Sequence, residues 1–347
     1  MFRLGSRLIG PDQPCFIIAE AGVNHNGDLD LAKKLVYAAA EAGADAVKFQ
    51  TFQTAQLVTV DAPQAAYQEH NTGITETQFE MLARLELPFE AFAELKRCSD
   101  EAGILFLSSA FDPVSAEFLA GLGMDAFKIP SGELTNHPFL VQLARYQKPM
   151  LVSTGMGTLE EVGEAVDAIR KAGVNDIAIF QCVSNYPAPA EEVNLRAMET
   201  MRAAFSVPVG YSDHTLGIEA SVAAVAAGAN LIEKHFTLDC LMPGPDHKAS
   251  LEPAGLKQMV DGIRLVEKML GTGKKQPSEA EIEVAKVVRR SVVARRDLTA
   301  GTVLEAGMLD LRRPGTGISP GLIDTLPGRQ LRADVTAGTM IRNEDLV

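Results

Sequence analysis

The stretch Val207 to Ala249, VPVGYSDHTLGIEASVAAVAAGANLIEKHFTLDCLMPGPDHKA, decides the fold. It reads as strand, helix and strand, and each strand stops on a polar set that apolar packing does not require. Ser212, Asp213 and His214 follow the first strand, and Glu233, Lys234 and His235 close the second. Side by side and parallel, the two strands bring both imidazoles to one edge of a sheet. Two neutral imidazoles there, with carboxylates nearby, suit a divalent metal that keeps open positions for substrate.

Working outward, short β-branched runs alternate with Ala/Glu/Leu-rich stretches of helical period from residue 16 onward. Eight strands are expected: FIIAEA at Phe16, AVKFQT at Ala46, ILFLSS at Ile104, DAFKI at Asp125, MLVST at Met150, IAIFQC at Ile177, VPVGYS at Val207 and NLIEKHF at Asn230. Helical stretches such as Leu31 to Gly43 and Leu159 to Gly173 end on the glycine expected just past a helix. Eight such units predict an α/β TIM barrel, and the absence of a GxGxxG turn after the first strand counts against a dinucleotide fold. Between Phe52 and Leu87 a long excursion breaks the rhythm, and we expect it to cover the barrel mouth.

The predicted barrel domain spans 1–270, a linker 271–288, and a small β-rich domain 289–347. In the last, DLTAGTVLEAGML (Asp297 to Leu309) and DVTAGTMIRNEDL (Asp334 to Leu346) align without a gap, 37 residues apart. Such a duplication predicts a compact pseudo-symmetric unit.

A formal charge of −13 argues against general nucleic-acid or acidic-membrane binding. Residues 289–347 carry nine Arg, no Lys and seven acidic residues, a balance of +2 that leaves −15 on the first 288. Arg without Lys is suited to docking rigidly against carboxylates or carbohydrate. No apolar run is long enough to span a bilayer, and MFRLGSRLIG lacks a signal-peptide core, so we expect a cytoplasmic protein. The cysteines Cys15, Cys98, Cys182 and Cys240 form no CxxC pair and suggest neither a disulfide framework nor a zinc knuckle.

In a TIM barrel the reacting groups come from the C-terminal strand ends. Polar residues collect at every one of these ends, and lysines and glutamates inside apolar strands must be paired or used. Lys48 and Lys128 would point cations into the mouth, where Ser131, Ser153, Ser184 and Ser212 add hydroxyls suited to a phosphate and a carboxylate. Glu20, Gln50, Asn71, Tyr186 and Asp246 are groups that orient a polyhydroxylated molecule. Metal on His214 and His235 would polarise a carbonyl, and Glu133 in IPSGE is a candidate general acid or base. Ser108 and Thr154 read as helix caps, and His25, His70, His137 and His247 as surface or flanking residues without a partner.

The motifs AEAGVNHNG, VKFQTF, KIPSGE, STGM, SNYPAP, GYSDHTLG, EKHFT and GPDH, in this order, resemble the sialic acid synthase family, whose members condense phosphoenolpyruvate with a sugar to make nonulosonic acids. The stretch around RRPGTGI resembles that family's antifreeze-like, or SAF, domain. The resemblance implies manganese or magnesium on His214 and His235 with Glu233 close by. It implies phosphoenolpyruvate on Lys48, Lys128, Ser131, Ser153 and Ser212, and an N-acetylated amino sugar facing Glu20, Gln50, Asn71, Tyr186 and Asp246. It also implies a domain-swapped homodimer in which Arg313 serves the sugar bound by the partner subunit. Ser184 stands where some relatives carry Asn as a phosphate contact, a departure from the pattern. Glu133 would handle the proton of the water that adds to the condensing substrate.

The implied activity is N-acetylneuraminate synthase, acting on N-acetylmannosamine. The alternative within the family is N,N'-diacetyllegionaminate synthase, acting on 2,4-diacetamido-2,4,6-trideoxymannose. Outside it stand a metal-dependent pyruvate aldolase and, against the two barrel lysines and the metal pair, a non-catalytic binder whose small domain grips ice or glycan.

Overall fold

The computed structural model describes residues 1–347 apart from the side chain of His70. The chain divides into two compact units, Met1–Gly271 and Thr272–Val347.

The first unit opens with an antiparallel hairpin, β1 (Phe2–Leu4) and β2 (Arg7–Ile9), which the sequence pattern did not announce. Eight parallel strands then close into a barrel: β3 (Phe16–Gly22), β4 (Ala46–Thr51), β5 (Leu105–Ala110), β6 (Phe127–Ile129), β7 (Met150–Ser153), β8 (Ile177–Cys182), β9 (Val209–Asp213) and β10 (Leu231–His235). Strand β10 pairs with β3, so no edge is left to template aggregation, and the expected TIM barrel is the fold observed.

These segments are strands because both of their faces are buried, the inner against the barrel core and the outer against helices. Gly210 shows how tightly β9 is held: a Cβ there would lie 2.7 Å from the Leu231 carbonyl and 2.8 Å from the Phe180 ring. Several of the covering helices start on side-chain caps. Asp28 accepts from the N–H groups of Asp30 and Leu31, and Thr158 forms a reciprocal box with Glu161. Near the start of β4, Asp45 ties three elements together by pairing with Arg7 at 2.6 Å and Arg264 at 3.0 Å and accepting from the N–H of Ile17.

The excursion after β4 contains helices Thr54–Leu57, Ala66–Thr72 and Gln78–Leu85. It has its own small core, in which Phe52, Met81, Leu82 and Leu85 pack with Val23. No helix among the described residues is long and apolar enough to cross a membrane.

In the second unit, helix Glu279–Val288 precedes the antiparallel pair β11 (Ser291–Ala294) and β12 (Leu309–Arg312). The duplicated sequence becomes a duplicated structure. Leu298 and Val335 exchange backbone hydrogen bonds of 2.9 and 2.8 Å. Asp334 accepts from the N–H of Ala300 at 2.7 Å, and Asp297 from that of Ala337 at 2.8 Å. The core repeats with the same offset, since Leu298, Leu304 and Leu309 are buried together with Val335, Ile341 and Leu346.

Candidate active site

Strand register builds the site. In it Glu20 stands between His235 on β10 and Lys48 on β4, Ser212 beside Glu233, and Ser109 beside both Gln50 and Lys128. The side chains meet at the C-terminal end of the barrel in a cavity of about 480 Å³. Its floor is a buried charge network. Lys48 pairs with Glu20 at 2.7 Å, donates to Ser109 at 3.2 Å and lies 3.8 Å from Glu233. Lys128 pairs with Glu233 at 3.3 Å and donates to Ser153 at 2.7 Å, while Ser212 donates to Glu233 at 3.1 Å. Gln50 donates to the other Glu20 oxygen at 3.1 Å. All four charged groups are at most 5% exposed.

At that depth the ionisations are coupled. Burial pushes the Glu20 carboxyl up to about 7, against the pull of Lys48. For Glu233 burial acts in the same sense, but Lys128 and Lys48 together hold it below the usual carboxylate range. Burial opposes the charge of both lysines. It prevails at Lys128, whose ammonium is lowered, whereas at Lys48 the two glutamates outweigh it and the group is raised. Glu20 is therefore the member that exchanges a proton near neutrality. Beside this floor, the Gly155 N–H donates to Ser131 at 3.0 Å, and a Cβ on Gly155 would lie 2.3 Å from Ser184 Oγ. Only glycine leaves that corner open.

The imidazoles of His214 and His235 come together with ring centroids 5.3 Å apart. His214 Nδ1 donates to the Val183 carbonyl at 2.6 Å, so in the neutral ring Nε2 carries the lone pair; burial opposes the charged form, but Cys182 and the Val183 bond outweigh it and hold this ring above the usual histidine range. His235 Nδ1 is buried without a partner, and burial first, then the nearby cations, holds this ring well below the usual histidine range and so neutral. Among the described residues no cluster of three or more His, Cys, Asp or Glu is arranged as a metal site. The pair nevertheless fits a divalent cation whose remaining positions go to water or substrate. Tyr186 packs 4.0 Å from His214 and stacks on Tyr67 at 4.9 Å, and burial keeps its phenol protonated. Asp246 completes this side, its carboxyl pushed up to about 6 by burial.

Most of the residues singled out in the sequence line the cavity: Glu20, Lys48, Gln50, Lys128, Ser131, Ser153, Ser184, Tyr186, Ser212, His214, His235 and Asp246. Three do not. Glu133 is half-exposed and bonded to Asn136 at 2.6 Å, so the structure does not bring it to the cavity. Asn71 does not line it but donates to the carbonyl of Pro245, which does, at 2.8 Å. Arg313 is an exposed residue of the second unit.

Ser108 and Thr154 are not helix caps, since they bond to Thr51 and to the Phe180 carbonyl. His25 and His247 are buried rather than on the surface. His247 bonds Thr237 and Asn26, and His25 accepts from the Gly27 N–H. The side chain of His70 lies outside the described residues. Sequence reasoning left out Glu233 as the bridge between the two lysines, although a glutamate inside the apolar run NLIEKHF was the signal. It also left out Tyr67, which carries no such signal.

Residues 35–275 match the NeuB family. The chain belongs to the NeuB family. Residues 289–347 match the SAF domain, as expected of the second unit. The chain is 48% identical over 341 residues, 97% of its length and 96% of the relative's, to the N,N'-diacetyllegionaminic acid synthase of Legionella pneumophila. It is 38% identical, over 97% of its length and 94% of the relative's, to the human N-acetylneuraminate-9-phosphate synthase. Among solved structures, the N-acetylneuraminic acid synthetase of Leptospira borgpetersenii matches with a TM-score of 0.73 and 34% identity, over 82% of this chain and 94% of that one. This NeuB-family chain is thus an enzyme of the nonulosonic acid synthase class, as its motifs imply.

Proposed function

We propose that the chain condenses phosphoenolpyruvate with the open-chain aldehyde of an N-acetylated amino sugar and with water, giving a nonulosonic acid and phosphate. The observation that carries this reading is the cavity floor. There two buried lysines, Lys48 and Lys128, share Glu233 beside the hydroxyls of Ser131, Ser153 and Ser212 and the open corner at Gly155. An arriving phosphate and carboxylate find cations already desolvated and held in place, where their attraction is stronger than in water.

In the reaction, C3 of phosphoenolpyruvate forms the bond to the sugar's C1, whose oxygen takes up a proton. Water adds at C2 and gives up its proton, and phosphate leaves with cleavage of the C–O bond. Glu20, which holds a proton near neutrality, is the group we place on the C1 oxygen. The water proton, expected from the sequence to pass to Glu133, needs another acceptor, because that carboxylate does not line the cavity. His214 and His235 would hold a divalent cation, manganese or magnesium, whose chemistry there is that of a Lewis acid toward a carbonyl. Tyr186 and Asp246 would orient the sugar.

Of the two sugars left open, 2,4-diacetamido-2,4,6-trideoxymannose is favoured over N-acetylmannosamine by the likeness to the Legionella relative named for N,N'-diacetyllegionaminic acid. A domain-swapped homodimer, with Arg313 serving the partner's sugar, belongs to the same proposal on the strength of the motif resemblance. So does a cytoplasmic location, which the four cysteines without a disulfide support.

The deciding experiment mixes the protein with phosphoenolpyruvate and each sugar. Inorganic phosphate should appear one for one with the phosphoenolpyruvate lost. Its absence with every sugar would end the proposal, and a pyruvate aldolase would release none. Chelation with EDTA should stop the release, and His235→Gln should weaken manganese binding read by electron paramagnetic resonance.

A further inference from the structure

We infer that the buried ion pair of Asp213 and Lys234 is a positioning device, holding His214 at the spacing from His235 that a divalent cation needs. The inference rests on the cation proposed above for these two imidazoles and names what sets their geometry. Asp213 and Lys234 stand opposite each other in the β9–β10 ladder, each immediately before one of the two histidines. Their side chains pair at 3.0 Å with no exposure, yet neither lines the cavity. They face outward, since the Ser221 hydroxyl on helix Glu219–Ala226 donates to Asp213 at 2.6 Å. Replacing a buried ion pair by apolar groups of similar volume often leaves a fold as stable or more so. Stability alone therefore does not account for this one.

What the pair holds is Thr215. The Thr215 N–H and hydroxyl both donate to Asp213, at 2.9 and 2.8 Å, and Lys234 donates to the Thr215 carbonyl at 2.5 Å. Every polar group of that residue thus ends on the ion pair. His214 lies between Asp213 and Thr215, just past the end of β9, whereas His235 is still within β10 and paired with Glu20 on β3. The ladder places one imidazole, and the pinned turn places the other. The bonds of His214 to the Val183 carbonyl and the Ala188 N–H then orient the ring on that anchored backbone. Two donors bind one cation more tightly when their spacing is fixed before it arrives, because less freedom is lost on binding.

The test reads manganese binding to the full chain by electron paramagnetic resonance, without substrates. Lys234→Met removes the anchor on the Thr215 carbonyl and should raise the manganese dissociation constant by about 10- to 100-fold, the usual effect of losing a group that orients a metal ligand. Turnover should recover as manganese is raised, with the KM for phosphoenolpyruvate unchanged. Ser221→Ala is the contrast. It takes a hydrogen bond from the same carboxylate on the helix side without touching Thr215, so it should lower the melting temperature and leave the dissociation constant within about twofold. Manganese affinity within about twofold of the unaltered protein in folded Lys234→Met would overturn the inference. Equal losses of affinity in both variants would overturn it too, as the mark of general loosening. Should Lys234→Met fail to fold, Thr215→Val decides in its place: it keeps the shape, loses the hydroxyl bond to Asp213, and should weaken manganese by about tenfold. Unchanged affinity there would be equally fatal. No manganese bound by the unaltered protein would bring down the proposed cation, and the inference with it. Binding without phosphate release from any sugar would end the condensation and leave the positioning of the imidazoles standing.

Discussion

The barrel mouth and the C-terminal unit handle charge in opposite ways. In the mouth, Glu20, Lys48, Lys128 and Glu233 come from four different strands and are buried within reach of one another. In the C-terminal unit the arginines are half-exposed or exposed, and the buried positions are filled by the repeated Leu298, Leu304, Leu309 and Val335, Ile341, Leu346. Desolvating four charges costs several kcal/mol per ion before pairing offsets it, whereas leucines in a core stabilise from the start. A fold carries the first arrangement when the charges have work to do, so stability and function are separable by region.

The sharpest way to break this comparison is to neutralise one cation of the floor. Lys128→Met should lower the rate of phosphate release by about 10³-fold, because a desolvated partner for the substrate's anionic groups is lost. Glu233 would keep only Lys48, at 3.8 Å, so its carboxylate should also take up a proton more readily. A loss of less than about tenfold would show that the buried charges are structural.

Burial itself can be read from the pH dependence of stability. Asp246 in the folded protein ionises at about 6, above its ordinary 3.8, because burial disfavours the carboxylate. The folded state therefore binds the extra proton between those values. The stability tied to that proton is fully present below about pH 4 and lost as the pH rises through 6. Asp246→Asn should then be the more stable protein at pH 7, by up to about 3 kcal/mol at 1.36 kcal/mol per pH unit, and the advantage should vanish by pH 4. Taking the difference between the two proteins cancels His25 and His247, whose pKa values near 4 act in the opposite sense. Equal melting temperatures throughout that range would rule burial out as the cause.

Much of the mouth was legible because strands have a fixed period and end at the same face. Lys48, Lys128, Ser153, Ser212, His214 and His235 could each be placed from an apolar run and the point where it stops. Legibility failed where the chain leaves that frame. Ser131 to Glu133 forms a 3-10 turn, which advances about 120° per residue, so Ser131 faces the cavity while Glu133, two residues on, faces elsewhere. Tyr67 and Asn71 lie on a helix of the excursion, whose docking depends on contacts remote in sequence, such as that of Asn71 with Pro245. His25 is buried near the Phe49 ring and His247 between Thr237 and Asn26, neighbours that no spacing rule marks.

A smaller effect tests whether the two regions are as separate as their charge patterns suggest. If Arg313 serves the sugar of a partner subunit, Arg313→Ala should raise the KM for the sugar by about 10-fold, as the loss of one charge-assisted hydrogen bond would. The KM for phosphoenolpyruvate should not move. Equal rises in both constants would remove the arginine from sugar recognition and leave the barrel to do the chemistry alone.

The smallest effect concerns the repeat. Asp297 and Asp334 each hold a backbone N–H of the opposite copy, at 2.8 and 2.7 Å, and the segments they join also exchange the Leu298–Val335 backbone bonds. Since one arrangement is the other shifted by 37 residues, Asp297→Ala and Asp334→Ala should destabilise the unit equally, each by about 1 kcal/mol, the usual effect of losing a side-chain cap on a backbone N–H. Denaturant midpoints of the full chain would measure both, with phosphate release unchanged in either variant. A large loss from one substitution and none from the other would mean that the two halves, though alike in sequence, no longer share the load.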